Sequence, residues 1–264
     1  MNMPNDRTLR HELFRPKIEK NNFRRNTVLT RIIIIFTFIC SCHLYAQAKN
    51  TVLGYTGIIV TPTAQISRDG ELSASIGRIP KLYANGYAPY DRTAFVASMG
   101  FMPFLEASFG FVRPDNFQGG VGDRTITVRI QVLSDKANLP AIAFGFHDFF
   151  AIENLDLEPE SAQHFAAMYA VATKKIPLYI EGSSLVLNAG YGFDWLPARD
   201  SHLQGFFWGL QYSPIKDVDL LLEHDVNNFN AGIRFIFFSH FNYMLSFWQL
   251  QHLMHQVGFS LQLK

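Results

Sequence analysis

The sequence predicts an all-β chain, a closed antiparallel transmembrane β-barrel of about twelve strands. Three observations predict it. From residue 70 onward, apolar and polar residues alternate in runs of roughly 9–11, broken by turn chemistry. The connections between these runs are long, short, long, short in succession, as in barrels with large outer loops and small periplasmic turns. The last run, Gln256–Leu263, has the polar-x-Gly-x-x-apolar-x-apolar order of a barrel's closing strand.

The strand candidates are 70–79, 92–101, 104–113, 123–133, 140–150, 164–174, 178–192, 204–213, 217–225, 228–238, 241–250 and 255–263. The period is clearest in 124–132, where Ile126, Val128, Ile130 and Val132 oppose Thr125, Thr127, Arg129 and Gln131. In 204–212, Phe206, Trp208, Leu210 and Tyr212 oppose Gly205, Gly209 and Gln211; in 229–237, the line Phe229, Ala231, Ile233, Phe235, Phe237 opposes Asn230, Gly232 and Arg234. A soluble exported sandwich has the same period, so alternation alone does not choose. Connection lengths favour the barrel: KLYANGYAPYD after 79, only Met102-Pro103, then PDNFQGGVG, SDKANLP, AIENLDLEPESAQ, Lys175-Ile176-Pro177, DWLPARDSHL and Ser213-Pro214-Ile215-Lys216. The rhythm fails at Val226-Asn227-Asn228, which is short on a side that should be long. Aromatic residues near the strand ends (Tyr83, Tyr87, Tyr90, Tyr169, Tyr191, Trp195, Tyr212, Phe241, Tyr243) fit the girdles of a lipid–water boundary. The final strand resembles the signal read by the barrel-assembly machinery, without its usual last aromatic and with Lys264 behind it. That strand must pair with the first to leave no open edge.

Net charge of +1 hides a division near residue 46. Residues 1–46 carry eight Lys/Arg and three acids out of 23 and 22, so the remainder is net acidic by four. The basic head directly precedes Ile32–Ile39, and an apolar run of about a dozen residues behind a basic stretch is a secretory signal, too short to span a bilayer. It is not a nucleic-acid arm. Cleavage is expected after Ala46, with Ala48 as the alternative, and the long basic region suggests a start codon assigned upstream of the true one. The expected division is 1–46 signal peptide, 47–69 periplasmic leading segment and 70–264 barrel, in the outer membrane of a Gram-negative bacterium.

Both cysteines, Cys40 and Cys42, fall in the signal, so a mature chain cut at Ala46 has no thiol for a disulfide, metal site or nucleophile. Were Cys42 a lipid-anchor site instead, the chain would be a tethered soluble β-protein. No Walker pattern, H-E-x-x-H or phosphate loop is present, and no cofactor is expected. Gly119-Gly120-Val121-Gly122 reads as a turn before a strand. His252 and His255 lack a third ligand nearby, and His147-Asp148 and His224-Asp225 alternate faces on their strands. Ser183-Ser184 with a distant His is the one combination that a barrel-wall lipid hydrolase could use. The informative charges are Glu106, Arg129, Glu181, Asp219, Glu223 and Arg234, all on the inward parity. They read as salt bridges filling a narrow lumen, or as a polar path or plug contact for a glycan or small solute.

The stretch 54–77, GYTGIIVTPTAQISRDGELSASIG, has a G-x-x-G bend, an apolar run into T-P-T-A, a D-G turn and an alternating strand. Over about two dozen positions this order resembles the YjbH/GfcD-type family of outer-membrane β-barrel proteins, associated with exopolysaccharide or group 4 capsule production. Gly57, Pro62 and Gly70 carry the motif. The resemblance implies a non-enzymatic component of surface polysaccharide production or export. Its partners would be outer-membrane lipid, the polysaccharide or other proteins of its locus, with no nucleic acid. A small channel or adhesin without a glycan link is the alternative. Residues 54–66 read as a first strand or as a short piece tucked into the lumen or under it, and the sequence does not choose between them.

Overall fold

The computed structural model describes residues 49–81, 91–115, 122–148, 166–180, 182–195 and 203–263. The signal segment expected at 1–46, Tyr83, Tyr87, Tyr90, Glu181 and Gly119-Gly120-Val121 lie outside the described residues. Twelve strands form: β1 Glu71–Ile79, β2 Arg92–Phe101, β3 Leu105–Pro114, β4 Asp123–Leu133, β5 Ala141–His147, β6 Ala167–Pro177, β7 Ser184–Phe193, β8 Gly205–Ile215, β9 Val218–His224, β10 Phe229–Phe237, β11 Phe241–Trp248 and β12 His252–Gln262. Each pairs antiparallel with its sequence neighbours. β1 pairs with β12 from Glu71↔Gln262 to Arg78↔His255, which closes the sheet into a barrel.

The wall is inside-out compared with a water-soluble barrel. On β4, Thr125, Thr127 and Arg129 are buried inward while Ile126 and Ile130 face out. On β1, Glu71 and Ser73 are inward and Leu72 and Ile76 outward. Phe95, Phe109, Phe144, Leu220, Phe247 and Val257 extend the apolar exterior around the barrel. Polar residues inside and oily residues outside suit a solvent of hydrocarbon, where closed strand pairing also satisfies every backbone group.

Several boundaries differ from expectation. The run 178–192 was expected as one strand, but β6 continues to Pro177, a turn follows, and β7 begins at Ser184. There Ser183 N and Oγ both donate to the Ile180 carbonyl, at 3.0 and 2.6 Å. β11 stops at Trp248 rather than 250, because Gln249 and Leu250 turn at φ 54 and 57 without any glycine. Phe238 and Ser239 do the same between β10 and β11, at φ 52 and 61. The short connection at 225–228 is real: Asp225 Oδ1 accepts from Asn227 N and Asn228 N, and Val226 takes φ 85. Tyr169 does not belong to an outer girdle. It points into the lumen at 1% exposure, whereas Tyr191 and Trp195 face outward.

Residues 49–70 form no strand of the wall. They enter the lumen as a folded hairpin, with Val52, Tyr55, Ile58, Ile59, Val60 and Ala64 fully buried. Lys49, the first described residue, lies beside Asp219 near the β8–β9 turn, and the segment leaves at Asp69, whose carboxylate accepts from Met102 N in the β2–β3 turn at 2.8 Å. Both ends thus lie towards the short-turn rim. Gly70 takes φ 73 in the expected D-G turn and hands the chain to β1. The segment is a plug.

An exterior facing lipid makes a specific demand. Replacing Phe109, which is mid-strand and half exposed, by Arg is expected to cost about 2–4 kcal/mol of insertion free energy. Denaturant titration of folding into phosphatidylcholine vesicles measures it; an unchanged midpoint would mean that this wall faces water.

Candidate functional site

The plug has too few internal partners to bury its own backbone. Its folding is local: Val52 N bonds Ile59 O at 3.1 Å, Ile58 N bonds Thr61 O at 3.0 Å, and the Tyr55 hydroxyl donates to Val60 O at 2.8 Å. Burial raises the Tyr55 phenol well above its ordinary value of 10.0, so it stays a neutral donor. Gly57 lies where the two limbs of the hairpin touch, and a Cβ there would sit 2.3 Å from the Thr61 carbonyl. Many of the other backbone groups are met by side chains projecting from the wall.

Glu106 of β3 and Arg129 of β4 are direct cross-strand partners, joined Nη1 to Oε1 at 2.8 Å. Glu106 also accepts from Thr56 N and Oγ1 (3.1 and 2.6 Å) and from Ser67 N and Oγ (2.7 and 2.9 Å). Arg129 donates to the carbonyls of Thr56, Thr63 and Gln65. This pair clasps both limbs of the plug.

On the opposite side, the Glu223 carboxylate of β9 receives three consecutive backbone amides, Ile59, Val60 and Thr61, at 3.0, 2.9 and 3.1 Å. The Thr61 hydroxyl adds a bond at 2.7 Å and Asn230 one at 3.0 Å. Successive N–H groups in a tight turn make an anion-binding concavity, and the wall supplies the anion. Below it, Asp219 of β9 and Arg234 of β10 are cross-strand partners with N and O 3.9 Å apart. Asp219 also takes Lys49 Nζ at 2.8 Å and Ser213 Oγ at 2.6 Å, while Arg234 donates to the carbonyls of Gly57 and Ile58.

Five of the six charges expected on the inward face therefore lie fully buried against the plug: Glu106, Arg129, Asp219, Glu223 and Arg234. Glu181 lies outside the described residues. Gly57 and Pro62 are within the plug and Gly70 at its exit; the Pro62 carbonyl accepts from Asn188 at 2.8 Å. Charge alone missed the neutral half of the cradle. Thr173 accepts Ala64 N at 2.7 Å, Gln131 donates to Ala64 O at 2.7 Å, and Gln256 donates to Thr51 O at 2.9 Å. All three share the inward parity of the charged set, so period-2 counting of polar residues would have found them.

Apolar contacts complete the fit. Tyr55 meets the His147 ring edge-on at 5.1 Å and Tyr169 at 6.2 Å, and Tyr169 meets Phe207 at 6.1 Å. Ile58 fills the space over Gly209, where a Cβ would lie 2.3 Å from its Cδ1. The other histidine and serine candidates have structural partners. His224 stacks on Trp208 at 6.3 Å, His252 approaches Trp248 at 5.9 Å, and Asp225 caps its turn and accepts from Asn230. Among the described residues, no three potential metal ligands come together.

Fold and site define a closed twelve-stranded barrel whose lumen is filled by its own N-terminal hairpin. The family model described as "Exopolysaccharide biosynthesis protein YbjH" matches residues 49–202, more than half of the chain, from the plug through β7. The chain belongs to this YjbH family. A crystallised outer membrane channel from Pseudomonas putida F1 is 12% identical, covering 74% of this chain and 96% of that one with a TM-score of 0.37, too distant to bear on function. No curated protein matches.

The cradle and the end of β5 each supply a test. Glu223→Gln turns one acceptor towards the three amides into a donor, and is expected to destabilise the barrel by about 1–3 kcal/mol by the thermal shift of its folded gel band. Asp148, just past β5, is buried with Asp123 nearby, and burial first, then that neighbour, raises its carboxyl from 3.8 to about 7. Its contribution to stability is complete below 3.8 and lost as pH rises through about 7. Asp148→Asn should therefore melt higher than the wild type at pH 8 and equally at pH 4; equal melting at both would contradict the shift.

Proposed function

We propose that this chain is an outer-membrane barrel component of surface exopolysaccharide or capsule production or export, with no chemistry of its own on the polymer. Family membership over residues 49–202 is the observation that carries the polysaccharide link. The inside-out wall supports residence in a membrane, and the secretory signal expected at 1–46 supports the outer one. Outer-membrane lipid, the barrel-assembly machinery acting on β12, and the polysaccharide or other proteins of its locus are the partners of this reading. The plug argues against the alternative of a constitutively open small channel, since Glu106, Arg129, Glu223 and Arg234 tie it across the lumen. A lipid hydrolase has little support, because the Ser183 hydroxyl is spent on a turn carbonyl.

Deleting the gene is expected to abolish or sharply reduce surface polysaccharide, restored by the full chain in trans. The protein should fractionate with the outer membrane as a heat-modifiable band. Unchanged polysaccharide in the deletion strain would remove the glycan link.

A further inference from the structure

We propose that the plug is a displaceable stand-in for a saccharide, and that the wall groups it covers form the path of a linear glycan through the barrel. The inference rests on the polysaccharide reading above and adds the route and the recognition chemistry.

The wall holds the plug mainly by its backbone. Arg129 donates to three carbonyls, Arg234 to two, and Asn188, Gln131 and Gln256 to one each, while Glu223 takes three amides. The side chains that add to this grip are mostly hydroxyls, of Thr56, Ser67 and Thr61, on the same carboxylates, with Lys49 on Asp219. A chain of hydroxyls, each both donor and acceptor, satisfies the same carboxylates, amides and guanidiniums. Beside them stand the inward rings of Tyr169 and Phe207, both buried. Apolar ring faces next to convergent polar groups match the C–H faces and hydroxyl edges of a pyranose.

The wall also carries more polar capacity than the plug uses. Arg234 Nη1, Ser246 Oγ and Gln256 Oε1 are buried without a hydrogen-bond partner in the protein. Each such buried, unmatched group destabilises the filled barrel. A barrel that needed only to be filled would be more stable with apolar residues at these places.

Release of the plug leaves the wall whole. β1 pairs with β12 directly, and the plug adds no strand to the sheet. Both plug ends lie towards the short-turn rim, so the hairpin can withdraw in one direction without threading. Opening needs the Glu106–Arg129 and Glu223 clasps to let go; the emptied wall keeps Glu106 opposite Arg129 and Asp219 opposite Arg234, while Glu223 keeps only Asn230 across the strands.

A disulfide lock tests the movement. Ala64 N lies 2.7 Å from Thr173 Oγ1, so Ala64→Cys with Thr173→Cys joins plug to β6 in the oxidising periplasm. In the deletion strain, the locked full-length protein should form its heat-modifiable band yet fail to restore surface polysaccharide, and reducing the disulfide of the same protein with dithiothreitol should recover it. Full restoration by the locked protein overturns the proposal but leaves the polysaccharide role intact; a deletion that changes nothing fails that role instead. In planar bilayers, full-length Glu223→Ala should raise open-state occupancy about tenfold or more. Maltohexaose should block the current, and Phe207→Ala should weaken that block. A variant that never opens overturns displacement, and one that opens but ignores maltohexaose overturns the glycan path; these results decide alone if the double-cysteine protein does not assemble.

Discussion

An irregular stretch of backbone can be buried only where something bonds its amides and carbonyls. The lumen plug is such a stretch, and the barrel's inner face is arranged around that requirement. A strand lining a sheet hands its backbone groups to neighbouring strands, but residues 49–70 have no sheet to join. The wall answers with side chains that reach inward: carboxylates for amides, guanidiniums and amides for carbonyls. The polar interior and the irregular plug are therefore one feature. Each meets the other's polar groups, and either one left dry and unmatched would cost several kcal/mol, so a wall without the plug needs water or another polar occupant.

The charges are placed to limit that cost. Glu106 and Arg129 sit opposite each other on β3 and β4, as do Asp219 and Arg234 on β9 and β10. Each pair neutralises itself within the wall before it touches the plug. The two differ in closeness, 2.8 Å against 3.9 Å, and the looser pair recruits Lys49 from the plug to its acid. Glu223 has no cross-strand cation and relies on the three oriented amides, the Thr61 hydroxyl and Asn230, which makes it the contact most dependent on the plug's position. Barrel size sets the need: about eight strands are filled by their own side chains and about sixteen leave an aqueous channel. Twelve strands enclose a space that wall side chains leave partly open, and a folded hairpin closes it.

Period-2 alternation made the twelve strands legible in number, and the facing of the clearest of them (β1, β4, β8 and β10), because a lipid-exposed wall and a polar lumen force each residue to declare its side. Glu106, Arg129, Asp219, Glu223 and Arg234 could be assigned inward for that reason. What alternation could not supply was anything set by local turn geometry or by distant packing. Gln249-Leu250 and Phe238-Ser239 adopt positive φ without glycine or asparagine, so β11 and β10 end without a written signal. Tyr169 resembles a girdle aromatic by its nearness to a strand end, yet its parity sends it inward to meet Tyr55 and Phe207. Ile58-Ile59-Val60 reads as a strand by composition, but Gly57 lets the returning limb pack so closely that the run becomes a turn, with Glu223 collecting its amides.

Chain order also bears on how the plug reaches its seat. Its contacts with Glu106 and Arg129 span 39 to 73 residues of sequence, whereas those with Glu223 and Arg234 span 162 to 177. Closing a longer loop costs more entropy, though only logarithmically, so the near half of the cradle is favoured to form first. With β1 to β4 paired, Thr56, Thr63 and Ser67 already have their partners, and the hairpin is anchored by one side. The amides of Ile59, Val60 and Thr61 stay unmatched until β9 and β10 arrive. Their capture by Glu223 then comes close to the pairing of β12 with β1. The same asymmetry ranks the two clasps for the reverse motion: the Glu223 side completes last, lacks a cross-strand cation, and is the side from which the plug is most readily freed.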